Sequence, residues 1–189
     1  LVFEHVDTVT TGNLCPVSVS HYYNSCYRDL DIFSAGYGWK HSQHKTWHSE
    51  ADKGTAGASF VYTDGDGTRH YFRNLGKTDA RSATYGDLSG LSLRMQVVGS
   101  TTTRFVRIHS KTDTTLEFPW PEGSPSITPQ SISYKMLTKI GDGRDNFVKF
   151  LNGTKKAGAV TYPHVSKITD GAGRDTTFTI NDLGYYASV

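Results

Sequence analysis

A tight turn followed at a fixed distance by phenylalanine recurs four times along this chain, and that repeat narrows the fold more than any other feature. Tyr62-Thr63-Asp64-Gly65-Asp66-Gly67 has a counterpart in Ile168-Thr169-Asp170-Gly171-Ala172-Gly173. In each, a Phe stands eight residues after the first Asp, at Phe72 and Phe178. The same interval separates Asp142 from Phe150 and, in a degenerate copy, Ser110 from Phe118. An apolar residue precedes each turn residue by two: Tyr62, Ile108, Ile140 and Ile168.

Each unit reads as a strand, a turn and a second strand. Asp-Gly and Gly-x-Gly supply the positive φ angles that a short hairpin loop needs, and Asp bonds its own backbone in an Asx turn. Side chains alternate faces along a strand, so a Phe at a fixed interval puts one large apolar group at a fixed place on one face. The trailing segments Arg69–Phe72, Thr114–Phe118, Asn146–Phe150 and Asp175–Ile180 are therefore expected strands. The expected fold is all-β, with antiparallel hairpin repeats in a curved or coiled sheet and little helix. Residues 1–189 read as one β-rich module: leading strands in 1–58, then four hairpin units in 59–189 centred near 64, 110, 142 and 170. The gaps between units hold Gly76–Gly90, with short turns expected near Thr84–Leu88, and Pro119–Pro129, expected to be an exposed loop because proline lacks the ladder donor.

Composition agrees. There are 11 Tyr, 9 Phe and 3 Trp with 19 Gly, a mixture that favours strands broken by turns. The net charge is only +2, from 20 basic and 18 acidic residues scattered along the chain. That excludes an electrostatic footprint for nucleic acid. No stretch approaches the roughly 20 apolar residues of a membrane-spanning helix, and no membrane insertion is expected. Leu1-Val2-Phe3 already reads as strand, so the expectation is a fragment whose targeting segment lies elsewhere. Cys15 and Cys26 bracket Val17–Tyr23, which alternates as a strand; if the chain from one cysteine to the other is extended it spans about 35 Å, too far for a disulfide between them.

Candidate sites are few. His41, His44 and His48 have a spacing that could hold zinc on a helix. Gly36–Trp47 reads as strand, however, which puts His44 and His48 on one side and His41 on the other: a polar strand face, with no metal expected. Asp64-Gly65-Asp66-Gly67 and Asp142-Gly143 resemble calcium loops but lack the remaining ligands, and hairpin turns explain the same residues. A carboxylate pair for glycoside cleavage could be assembled from Glu4, Glu50, Glu117 or Glu122 with various Asp residues, but nothing in the sequence places any two of them together. No catalytic residue and no cofactor is expected. An aromatic platform for a sugar ring could be drawn from Trp120, Trp47, Trp39, Tyr185 and Tyr186, with Trp120 between two prolines the first choice and core packing the competing role, strongest for Trp39 and Trp47.

The chain resembles the opening of the RHS/YD-repeat region of secreted, wall-associated bacterial proteins. The resemblance rests on Val2–Thr8 with Gly12–Ser25, on Gly36-Tyr37-Gly38-Trp39, on the Asp66-Gly67-Thr68-Arg69-His70-Tyr71-Phe72 hairpin, and on Leu137–Phe150 and Val165–Ile180 as YD-type repeats. It covers about residues 1–180 in the family's order. It implies a long β-sheet coiled into a shell, a secreted, extracellular or cell-wall location, and a non-catalytic structural role as part of a larger parent chain. In relatives the shell can enclose a C-terminal toxin, but no toxin segment is visible in these residues. A carbohydrate-binding or adhesive module for cell-surface, plant or bacterial polysaccharide is the second reading, and an enzyme the third.

Overall fold

A computed structural model describes residues 1–9, 15–16, 18–28, 35–49, 60–75, 84–100, 103–120, 135–158 and 160–188. Seventeen strands lie among them: β1 Val2–Val9, β2 Ser18–Asn24, β3 Trp39–His41, β4 Thr46–Ser49, β5 Phe60–Thr63, β6 Arg69–Asn74, β7 Thr84–Asp87, β8 Arg94–Val98, β9 Phe105–His109, β10 Thr115–Pro119, β11 Lys135–Met136, β12 Lys139–Gly141, β13 Phe147–Ala157, β14 Val160–Thr169, β15 Asp175–Thr177, β16 Thr179–Ile180 and β17 Tyr186–Ser188. A single 3-10 turn at Ser25–Tyr27 is the only helical element among the described residues. The protein is all-β. Twelve strands run in the order β11-β4-β5-β6-β7-β8-β9-β10-β12-β13-β14-β15 in an antiparallel sheet that does not close into a barrel, while β1-β2-β3 and β16-β17 form smaller sheets. The chain divides into two compact units: Leu1–His44 with Asp64–Thr68 and Asp145–Val189, and Lys45–Thr63 with Arg69–Arg144.

The second unit shows period-two burial most cleanly. In β8 and β9 every other residue is buried, and the register sets Met95 opposite Ile108 and Val97 opposite Val106. Phe118 of β10 lies opposite Val106 and continues that apolar row. Trp47, Phe72, Met95, Val106 and Phe118 are fully closed to solvent. On the other face, Arg107, Glu117 and Lys139 stand side by side across β9, β10 and β12. Arg107 donates to Glu117 Oε1 through Nε at 3.0 Å and Nη2 at 2.6 Å, and Lys139 Nζ lies 3.6 Å from Oε2. In the first unit, Val19, Val148, Phe150, Val165, Ile168 and Phe178 make the apolar core.

The repeat has a common geometry. Asp64 N–H donates to the Thr68 carbonyl at 2.8 Å, Ser110 N–H to Thr114 at 2.9 Å, and Asp170 N–H to Arg174 at 2.9 Å. The residue three after each turn residue has positive φ: Gly67 (+90°), Asp113 (+60°), Asp145 (+66°) and Gly173 (+81°). This is a three-residue hairpin loop with one left-handed residue, which Gly adopts freely and Asp tolerates. The four Phe at +8 are buried, Phe72 and Phe118 at 0% and Phe150 and Phe178 at 5% exposure. One further copy and one longer variant were not legible as such. Asn181 N–H donates to Tyr185 O at 2.8 Å, with Gly184 at φ +88°. At Asp87 the loop is longer and closes with Asp87 N–H on the Leu93 carbonyl at 3.3 Å; the side chain takes the Ser89 and Leu91 amides at 2.8 and 3.0 Å, and Met95 eight residues on is fully buried.

Three local expectations differ from the structure. Thr84–Asp87 is the strand β7, not a turn. The Asp175–Ile180 segment breaks at Phe178, so β15 pairs with β14 and β16 with β17. Gly36–Trp47 is not one strand: β3 ends at His41 and a turn closes with His44 N–H donating to His41 O at 2.8 Å. Residues 121–134, most of the proline-rich loop, lie outside the described residues. Cys15 and Cys26 are not joined in a disulfide.

Candidate functional site

The register of β1, β2 and β3 lines up three histidines. His5 pairs with His21 and His21 with His41, so the three side chains form a row across the small sheet. The ladder shifts between Val6 and Thr8, which leaves Asp7 as the extra residue of a β-bulge. Bulges re-aim a side chain, and here Asp7 Oδ2 meets His21 Nδ1 at 2.6 Å while Oδ1 lies 3.3 Å from His5 Nδ1. The His21 and His41 rings meet edge to face at 5.2 Å. One donor atom each from Asp7, His21 and His41 lies within 4.8 Å of the other two.

Behind this row the first unit is closed. His41 is 1% exposed, with Tyr186 stacked on it at 5.3 Å and Phe178 edge-on at 5.3 Å. The Ser42–Gln43 turn returns the chain so that His44 lies 5.6 Å from His41, ring to ring. His44 is fully engaged. The tautomer that satisfies its neighbours accepts the His41 N–H at Nδ1 (3.4 Å) and donates from Nε2 to Tyr186 Oη (2.9 Å). Tyr186 Oη also accepts the Val165 N–H at 2.8 Å. Burial, then the neighbouring His41, holds His44 well below the usual imidazole range. Burial, then His21, lowers His41 to about 4. Burial raises the Tyr186 phenol. Both inner imidazoles are therefore neutral at pH 7, and the lone pair of His44 Nδ1 is already taken by the His41 N–H. His41 Nδ1 has no hydrogen-bond partner in the structure.

The sequence-derived aromatic set does not gather on one surface within either unit. Trp47 is 0% exposed, packed on Phe60 at 5.4 Å and on Trp120 at 5.9 Å, so no sugar ring can lie on it. Trp120 is half-buried, with the Arg104 guanidinium 5.8 Å from its ring. Tyr186 belongs to the histidine cluster, and Tyr185 is half-buried. Trp39 is the exposed member at 37%, against Tyr23 at 5.4 Å. His48 lies on β4 in the other unit, and within the first unit His41 and His44 meet. Glu4 accepts the Tyr22 hydroxyl at 2.7 Å and Glu117 is neutralised by Arg107 and Lys139; Glu50 and Glu122 lie outside the described residues. The turn carboxylates are occupied by their own loops: Asp64 by the Gly65 amide, Asp66 by Thr68, Asp142 by the Arg144 amide. An open depression of 210 Å³ between the Asp145 and Asp170 turns is flanked by Phe147 and Lys149, and Asp170 there is already bound by Arg174 at 2.7 Å. Sequence reasoning missed Asp7 and His21, because their approach to His41 depends on strand register and no local spacing carries it.

No protein-family model matches the chain, and no curated protein matches it. Among solved structures it is similar to the N-terminal domain of effector protein SpvB from Salmonella typhimurium strain LT2, with a TM-score of 0.53 and 12% identity. The match covers 86% of this chain and 61% of that one, so the chain spans about three-fifths of the neighbour's length. At that identity the likeness is one of fold.

Proposed function

We propose that this chain is a non-catalytic structural module of a secreted surface protein of the RHS/YD-repeat type, contributing hairpins to a larger β-shell built with the rest of its parent chain. The observation that carries the reading is where the polar groups go. The carboxylates of Asp64, Asp142 and Asp170 cap their own loops and Glu117 is held by two cations, so none of these four is a free carboxylate for acid–base hydrolysis. The apolar residue of each repeat is in the core, so the repeated pattern is accounted for by packing and turn chemistry. The solved neighbour is likewise one domain of a larger effector protein. The test is a turnover screen on polysaccharides, esters and peptides. No product above the buffer rate is expected; turnover that Glu117→Gln or Asp7→Asn abolishes would overturn the reading.

A carbohydrate-binding role is the second reading, and it now rests on Trp39 rather than Trp120. Trp39 is 37% and Tyr37 64% exposed, two aromatics close in sequence on the first unit. A glycan array with wild type and Trp39→Ala separates this role from the purely structural one.

A further inference from the structure

The strongest unexplained feature is a buried imidazole with an idle nitrogen beside a carboxylate and a second imidazole. Burying a polar atom without a hydrogen bond costs roughly 1–3 kcal/mol. His44 avoids that cost through Tyr186, and His41, at 1% exposure, does not at Nδ1. The other two members of the cluster, His21 and Asp7, have side chains that are 32% and 25% exposed. Ions can therefore reach the group from solvent while its third member is fixed in the core.

We propose that Asp7, His21 and His41 form a site for a divalent transition-metal ion of the zinc type. Two imidazole nitrogens and one carboxylate oxygen are the donor set that borderline ions prefer, with a fourth position left to water. Ligand atoms around tetrahedral zinc stand about 3.3 Å apart, as follows from bonds of about 2.0–2.1 Å. The three donors here lie within 4.8 Å of one another, and the 2.6 Å contact between His21 and Asp7 would open to admit the ion between these two partly exposed side chains. His5, 3.3 Å from the other oxygen of Asp7, orients the carboxylate from outside.

The topology gives the ion a purpose. Asp7 comes from β1, His21 from β2 and His41 from β3, one ligand from each strand of a three-stranded sheet. Val2, Phe3, Val6 and Val9 of β1 are each more than half exposed, so that strand has little apolar burial to hold it. A shared ion would tie the three strands together, in the way metals staple small β-structures that lack a large core. Asp7 is placed for this by the β-bulge, the one irregularity in the β1–β2 ladder.

The test uses the chelator-treated whole chain titrated with Zn²⁺ by calorimetry and with Co²⁺ by absorption, followed by amide exchange. One equivalent should bind, the Co²⁺ spectrum should show nitrogen–oxygen ligand-field bands without thiolate charge transfer, and the Val2–Val9 amides should exchange more slowly with Zn²⁺ present. Asp7→Asn and His21→Gln, both on partly exposed side chains, should each weaken binding by about 100-fold while leaving the metal-free melting temperature within a few degrees of wild type. His109→Gln, a half-buried histidine of the other unit, should bind as wild type does. The proposal is overturned by an absence of saturable binding, by binding that survives both ligand substitutions, by thiolate bands, or by equal loss in His109→Gln.

Discussion

Phe150 and Leu151 are neighbours on β13 with opposite fates, and replacing each by Ala tests the period-two register on which the fold rests. Phe150 is 5% exposed and lies opposite Ile168, itself 1% exposed. Leu151 is 58% exposed and lies opposite Lys167. An aromatic side chain buries about 150–250 Å², which at about 25 cal/mol per Å² is roughly 4–6 kcal/mol for the whole residue; keeping the Ala methyl and adding a cavity term brings Phe→Ala to about 3–5 kcal/mol. For Leu151, less than half of a side-chain burial worth about 1.5–3 kcal/mol is at stake, so its Ala variant should lose about 1 kcal/mol or less. Urea unfolding at pH 7 measures both, provided the slope with denaturant is unchanged. Since whole domains are stable by only about 5–15 kcal/mol, Phe150→Ala should lie near the edge of folding. Equal losses, or a larger one at Leu151, would mean that β13 is displaced by one residue and every side chain on it faces the other way.

Trp120→Ala should lower stability by about 2 kcal/mol and the melting temperature by about 4–8 °C, because its ring packs on Trp47 at 5.9 Å and on Phe60 at 6.5 Å; an unchanged melting temperature with lost glycan binding would restore the sugar-platform role. Burial and then the charge of Arg69 hold His48 at about 4 against an ordinary value of 6.5. The unfolded chain takes up that proton first, so the stability concerned is complete above pH 6.5 and is lost as pH falls towards 4, on the order of 2 kcal/mol after allowance for partial exposure. NMR titration of the His48 ring checks it, and a midpoint near 6.5 would contradict it.

The hairpins were legible in the sequence because their signal is local. A turn residue, a left-handed residue three later and a large apolar residue eight later lie within one hairpin, and the chemistry of Asp and Gly dictates the rest. The longer variant at Asp87 escaped because Met95 fills the place of Phe, although Phe72, Met95 and Phe118 are spaced 23 residues apart. The Asn181 turn escaped because Phe is lacking there too. The candidate site was not legible for the opposite reason. Asp7, His21 and His41 are joined only through the pairing of β1 with β2 and β2 with β3, and the Ser42–Gln43 turn that brings His44 to His41 contains neither Gly nor Pro. For Trp120 the flanking prolines report on the backbone and carry no information about what the indole packs against, here Trp47 and Phe60.

The central claim is that these hairpins are part of a larger sheet, and amide exchange at the open edges tests it most directly. Among the described residues β15 pairs only with β14, and β1 only with β2. The alternate amides of Asp175–Thr177 and Val2–Val9 that point away from those partners should exchange rapidly in the isolated chain. In the longer parent protein at least one of these edges should become protected by an added strand. Identical exchange at both edges in the two forms would contradict the account and leave a self-contained β-protein in its place.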